Sequence, residues 1–311
     1  MYMTGLILVR FGAWVQNVYL GAIIRETMDI LWLPFSLATI MMYGLGQVFA
    51  KETRAEVPSA NLLLLLAGNI FVIWIVYYLV FHEPGSYSAE TWLQAALAAA
   101  LSGFAYVSYY ESIKRGKVSI VGTIAGAYAP WTVILALVFL GETLSWGETI
   151  GVVLVVSSML LFTYSTNNNG GRRTELMGIA FALVSLFFWG TSAAVAKGAI
   201  DEIGNTNFVG VYAVICPTIW VVYWLARQKG KLVMPRSNKW ILELSLLCFA
   251  GGGITLYLAI QNGNVSIVSP ITNLYPLVTI AAAKIRLRES LTIRQMVALA
   301  MLFISMPLFS I

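Results

Sequence analysis

The sequence predicts an all-α integral membrane fold: ten transmembrane helices forming two inverted five-helix repeats around a central cavity. Three observations predict it. Hydrophobic residues make up 59% of the chain and charged residues 11%, and the mean hydropathy is +0.81, well outside the range of soluble domains. Apolar stretches of about the 20 residues needed for a bilayer crossing recur along the chain. The first half of the sequence also returns in the second with almost no gaps, as in carriers built from duplicated units.

The spans are expected at about 30–50, 61–82, 92–111, 118–140 and 147–165 in the first half. Those of the second half are expected at about 177–197, 207–226, 240–260, 264–283 and 292–310. An odd number of spans per half makes the second half enter from the opposite side, so the repeat is inverted. Lipid offers no partner to a free backbone N–H or C=O, so each span is expected as a helix. The resulting organisation is an N-terminal extension 1–28, a first repeat 29–166, a linker 167–176 and a second repeat 177–311. The extension has no counterpart in the second half and carries Arg10 and Arg25. It fits a secretory signal poorly. It reads as an interfacial helix, or as the product of an upstream start with Met28 as the true one. As an eleventh span it would bury Arg10 at a cost of roughly 2.5–3.5 kcal/mol.

The first span carries Phe35, Leu37, Tyr43-Gly44 and Lys51, which return as Phe181, Leu183, Trp189-Gly190 and Lys197. In the second span, Asn61, Trp74 and Tyr77 return as Asn207, Trp220 and Tyr223. Packing and interfacial anchoring are the default reading of these rings. The fourth opens with Gly116-Lys-Val-Ser-Ile-Val121, repeated as Gly263-Asn-Val-Ser-Ile-Val268, and holds Pro130 or Pro276 in mid-span. Before the fifth comes Glu142-Thr-Leu-Ser145, repeated as Glu289-Ser-Leu-Thr292. These glutamates are expected to favour a helix N-terminal dipole.

The order and recurrence of these motifs resemble the drug/metabolite transporter superfamily, specifically ten-span EamA-type proteins, over about residues 30–310. The resemblance implies a basket of helices whose first, third and fourth members in each half line a central path. It also implies both termini in the cytoplasm. The charges say otherwise. Of the 19 Lys/Arg residues, all but Arg10, Arg25 and Lys197 flank the odd-numbered connections. The positive-inside rule places those connections in the cytoplasm and, for ten spans, the C-terminus outside.

The candidate substrate-binding residues are polar or aromatic side chains deep in the path-lining spans: Tyr43 and Gln47, Trp189 and Ser192, Tyr106, Tyr257, Tyr128, Asn273 and Tyr275. Tyr43 and Gln47 share a helix face by their spacing of four. A tyrosine offers an apolar face and a hydroxyl handle, and an amide deep in lipid needs a partner. Each has a plainer reading as helix packing. Pro130 and Pro276 are the candidate hinges, since an interior proline removes a helix hydrogen bond. Tyr110, Gln261, Glu111 and Asn262 lie towards span ends, and the last two read as solvated polar ends.

Several function classes are excluded. His82 is the only histidine, and no phosphate loop, metal-spaced cluster or catalytic set is visible, so neither an enzyme nor a metal or other cofactor is expected. Cys216 and Cys248 read as buried apolar thiols. The net charge of +5 belongs to loops and implies no nucleic-acid partner. No Asp or Glu occupies the middle third of any span, which argues against exchange of cationic drugs for protons through an intramembrane carboxylate. The expectation is a multi-pass protein of a cell membrane, most simply the prokaryotic inner or plasma membrane, monomeric or homodimeric, with a small-molecule solute and the bilayer as partners. It would move a small polar or zwitterionic metabolite, such as an amino acid, by alternating access, its two halves rocking about the prolines. The alternatives are a lipid translocase or scramblase, and a drug exporter of the same superfamily.

Overall fold

The apolar stretches fold as helices in the computed structural model, which describes residues 30–53, 57–82, 84–115, 124–163, 172–234, 238–275, 278–279, 281–282, 293–305 and 308. The extension 1–28 and Pro276 lie outside the described residues. The described helices of the first half are α1 (Trp32–Thr53), α2 (Ser59–Phe81), α3 (Ala89–Arg115), α4 (Ala129–Phe139) and α5 (Trp146–Thr163). A single helical stretch, Arg172–Gln228, is interrupted at Gly204 and so divides into α6 (172–203) and α7 (205–228). Then come α8 (Lys239–Asn262), α9 (Val265–Thr272) and α10 (Ile293–Ser305). There is no strand among the described residues.

Trp32–Ala50, Ser59–Phe81, Leu176–Gln228 and Lys239–Asn262 are each long and apolar enough to cross a membrane. At about 1.5 Å per residue, the 53 residues of Leu176–Gln228 would far exceed a hydrocarbon core of about 30 Å. Gly204 resolves this. Its φ of 77° and ψ of 158° suit a residue without a Cβ, and they reverse the chain in one step. The sequence implied a longer connection after Lys197, but the helix runs to Ile203. α6 likewise begins at Arg172, inside the expected linker.

Cross-helix hydrogen bonds give the helix directions. Ser185 and Ser192 on α6 donate to the Ala105 and Ala98 carbonyls of α3, each at 2.8 Å, so α6 runs antiparallel to α3. Tyr212 bonds Ser102 at 2.7 Å and Trp220 Nε1 donates to the Gly103 carbonyl at 3.2 Å, while Tyr223 donates to Glu111 at 2.5 Å. α7 is therefore parallel to α3. On α1, Thr39 meets Thr255 and Gly46 meets Ser245, so α1 is antiparallel to α8. Asn61 reaches the Val233 carbonyl and Trp74 the Ala250 carbonyl, so α2 runs with α8. Finally, α2 is antiparallel to α7, because Trp224 meets Asn61 at one end and Tyr77 meets Asn205 at the other. α7 is the counterpart of α2 and α8 that of α3, so counterparts run in opposite directions and the repeat is inverted.

The same contacts interlock the halves. Trp74 Nε1 donates to the Ala250 carbonyl at 2.8 Å, and its counterpart Trp220 donates to Gly103, the counterpart of Ala250. Ser192 donates to Ala98, whereas Ser245, the counterpart of Ala98, donates to Gly46, the counterpart of Ser192. The staple is kept on both sides with donor and acceptor exchanged. The first two helices of each half thus pack on the third helix of the other.

The outer surface suits a bilayer. On α2, Phe71, Val72, Val76, Leu79 and Val80 are exposed. Trp146 and Trp240 open α5 and α8 with 86% and 87% exposure, as interfacial anchors do. Ser145 and Glu148 form a capping box on α5, at 2.6 and 3.2 Å. Glu142 serves a different helix from the one it precedes. Its two carboxylate oxygens each accept a 2.9 Å bond from the Val265 and Ser266 amides that open α9. Because α5 already has its own cap, Glu142 is free to bridge the halves.

Glu111 is not a solvated helix end. It is buried at the α3 terminus, where Tyr223 donates to it and Arg227 and Lys114 pair with it at 2.8 and 3.2 Å. Arg115 also bonds its carboxylate. Replacing Glu111 with Gln is expected to lower stability by about 1.5–3 kcal/mol, the range for hydrogen bonds to charged groups. Urea or thermal melts in detergent read that loss, and a melt identical to the parent's would refute it.

Candidate functional site

The interlocked helices enclose a central cavity of about 140 Å³. A water needs roughly 10–15 Å³ of such space, so the cavity holds on the order of ten waters, the room of a small solute. Its walls come from α1, α2, α3, α6, α7, α8 and α9 and from the turn before α4.

The lining places the cavity along the helices. Tyr43, Gln47 and Ala50 of α1, Leu62 and Leu66 of α2, and Tyr109 and Tyr110 of α3 all belong to the halves nearest the basic connections. On α8 the lining starts at Leu242, close to Lys239, and continues to Ile260. The cavity thus runs along the helices from Leu242, near the basic face, to Ile260 at the opposite end of α8. At the other face Asn205 draws the walls together: its Nδ2 donates to the Tyr77 hydroxyl at 3.1 Å, and its backbone N–H donates to Gln261 at 3.3 Å.

Eight of the nine expected site residues, namely Tyr43, Gln47, Tyr106, Tyr128, Trp189, Ser192, Tyr257 and Tyr275, line this one cavity. Asn273 does not. It is 1% exposed and sits behind the wall, beside the Tyr128 hydroxyl. Its Nδ2 donates to the Ser269 carbonyl at 3.0 Å. The physical reason is local: the chain turns at Asn273–Leu274, which folds the amide back on its own helix. The Ser192 hydroxyl lines the cavity while stapling α6 to α3.

The aromatic walls follow the repeat. Tyr43 packs edge-on against Tyr275 with centroids 5.9 Å apart, and their counterparts Trp189 and Tyr128 also lie 5.9 Å apart. Tyr106 stands between Trp189 and Trp220, 5.0 Å from each. Tyr257 packs on Phe208, Tyr212 and Trp74. The sequence reading missed Tyr212, Tyr109 and Phe249 as lining residues, and it assigned Trp74 to packing alone. Trp74 does pack, at 1% exposure, and it also faces the cavity. The missed signal for Tyr212 was its counterpart: Leu66 lines the cavity too, but an aromatic paired with a leucine gives no visible repeat.

Pro130 starts a helix rather than kinking one. A helical turn over 124–126 ends in a two-residue turn at Ala127–Tyr128, and α4 begins at Ala129. Without an N–H, Pro130 cannot bond the Gly126 carbonyl, so the helix stops and restarts. α9 breaks at the corresponding place, after Thr272. Pro217 and Pro270, inside α7 and α9, went unremarked in the sequence.

Among the described residues no Asp, Glu, Lys, Arg or His lines the cavity, and no His, Cys, Asp and Glu group could hold a metal ion. The wall offers tyrosine and serine hydroxyls, indole faces and one amide, Gln47. Such a surface can stack on an apolar or planar group and hydrogen-bond a few polar ones.

The model of the EamA-like transporter family matches residues 30–164 and again residues 176–311. An uncharacterized protein of Methanocaldococcus jannaschii is 26% identical over 133 residues, covering 43% of this chain and 96% of its own. An uncharacterized transporter from the cobO 3' region of a Sinorhizobium species is 24% identical over 135 residues, covering 42% and 94%. An uncharacterized transporter of Archaeoglobus fulgidus is 27% identical over 128 residues, covering 41% of this chain and 44% of its own. A solved crystal structure of a protein superposes with a TM-score of 0.75 at 13% identity, covering 90% of this chain and 96% of that one. At that identity the likeness concerns the fold alone.

Proposed function

Because the chain belongs to the EamA-like transporter family and is a multi-pass membrane transporter, we propose that its central cavity carries a small neutral or zwitterionic metabolite by alternating access across ten spans in a cell membrane. The observation that carries this reading is the lining: rich in tyrosine and tryptophan, and uncharged among the described residues. A solute of net charge would enter it without a counter-charge, at high desolvation cost. An amino acid, whose charges sum to zero, or a neutral polar metabolite suits it better. By the positive-inside rule the basic face is cytoplasmic, and in this reading the Asn205 clamp is the gate of the opposite face.

The crossed pairing favours moving bodies other than the sequence halves. With α1 and α2 bonded to α8, and α6 and α7 to α3, the two units taken to rock are α1–α2–α8 and α3–α6–α7. They meet along the α2–α7 seam, and the clamp of Asn205 on Tyr77 and Gln261 joins one unit to the other.

A solute screen on the purified protein tests the function. One class of neutral or zwitterionic solute is expected to raise the melting temperature saturably, worth about 2.7 kcal/mol at a hundredfold excess over Kd. The same solute should show counterflow in proteoliposomes, and Trp189→Ala should weaken both. A chain that leaves every solute unbound yet exposes labelled lipid to dithionite quenching would be a scramblase instead.

A further inference from the structure

We infer that the helix break at Asn273 forms a binding site for a desolvated monovalent cation, with Asn273 Oδ1 as its central ligand. The inference deepens the carrier reading by supplying a coupling ion, and it rests on that reading.

Asn273 Oδ1 is buried and accepts no hydrogen bond. Its assignment as the oxygen is fixed by chemistry: the other side-chain atom faces the Ser269 carbonyl at 3.0 Å, where only an N–H is favourable. The backbone N–H of Asn273 donates to the same carbonyl at 3.2 Å, so the backbone and side-chain nitrogens are both engaged while the acceptor is left over. A buried acceptor without a partner costs about 1–3 kcal/mol, more where lipid surrounds the protein, and native structures rarely leave one unused.

The surroundings favour a positive ligand. Asn273 is the C-cap of α9, where the helix dipole presents its negative end. At the counterpart break in the first half, Pro130 has no N–H to donate to the Gly126 carbonyl. The Gly126 turn is the counterpart of the Asn273 turn, and α4 and α9 pack together, with Tyr128 against the Asn273 amide. Discontinuous membrane helices use freed carbonyls and C-terminal ends of this kind to hold cations. All these ligands are neutral oxygens. Divalent Ca²⁺ and Mg²⁺ draw on carboxylates, so a neutral set selects a monovalent ion.

The test is the melting temperature of solute-free protein in NaCl against KCl and choline chloride at equal ionic strength. Sodium is expected to raise it saturably, choline not at all. Asn273→Leu should abolish the response, Asn273→Asp should lower the half-saturating sodium concentration at least tenfold, and Tyr43→Phe on the cavity wall should leave it unchanged. If Asn273→Leu does not fold, the Asp variant alone decides. Equal melting in all three salts, or a sodium response indifferent to Asn273, overturns the site. Solute counterflow that persists at full rate without sodium would remove the cation while leaving the carrier reading intact.

Discussion

Gly44→Ala and Gly190→Ala are each expected to destabilise the protein by about 1–3 kcal/mol, the cost of overpacking a filled interior, and Gly44→Leu and Gly190→Leu are expected to prevent folding. A Cβ on Gly44 would stand 2.5 Å from Val278 Cβ and 2.9 Å from the Tyr275 carbonyl. One on Gly190 would stand 2.7 Å from Trp131 Cδ1 and 3.0 Å from the Tyr128 carbonyl. These are counterpart contacts, and in each the obstacle includes backbone, which cannot rotate away. Thr279 and Thr132 reinforce them, donating to the Gly44 and Gly190 carbonyls at 3.2 and 3.3 Å. The glycines therefore let the first helix of each half press against the fourth helix of the other, beside the cavity. Gly68 is the control, since a Cβ there meets nothing within 4 Å. Thermal melts of the three alanine variants check this. Equal melting of Gly44→Ala and Gly68→Ala would show that the contact of α1 with Tyr275 and Val278 can yield.

The close approach at Gly44 and Gly190 was legible in the sequence because the glycines repeat at matching positions in the first helices of the two halves. So were Tyr43 with Trp189 and Tyr128 with Tyr275, since aromatic residues at matching positions stand out against an aliphatic background. What stayed hidden has a common physical cause: the repeat preserves geometry rather than residue type. Ser192 and Ser245 make equivalent bonds from opposite helices, so alignment pairs each serine with a Gly or an Ala. Glu111 is paired with Leu258, and nothing in one residue forecasts that Tyr223 and three cations from α3 and α7 would converge on it. The Gly204 reversal was hidden because one glycine suffices where a loop was expected. Asn273 was noticed as a buried amide, but which way it turned depended on the helix break. The crossed pairing of first and third helices could not be read at all, since each half alone accounts for its own five helices.

That crossed pairing makes the expected outcome of cross-linking differ sharply between two kinds of bond. Joining Tyr77→Cys to Asn205→Cys with a bifunctional thiosulfonate is expected to stop transport completely. It replaces the 3.1 Å bond between the two units proposed to move with a covalent one and would hold that face shut. A disulfide between Gly46→Cys and the native Cys248, made in a Cys216→Ala background, is expected to leave transport near the parent level, although it ties the first sequence half to the second. A Cβ at Gly46 lies 3.2 Å from Cys248 Cβ, slightly inside the usual disulfide spacing of about 3.5–4.5 Å, so a small shift of α1 on α8 closes the bond. On the proposed rocking, both helices belong to one unit and stay together through the cycle. If the sequence halves were the moving bodies, this bond would block transport as fully as the first. Solute counterflow before and after reduction with dithiothreitol reads both cases. Loss of flux in the Gly46→Cys variant, restored on reduction, would return the motion to the halves. Flux retained there and lost only across the clamp would assign it to α1–α2–α8 against α3–α6–α7.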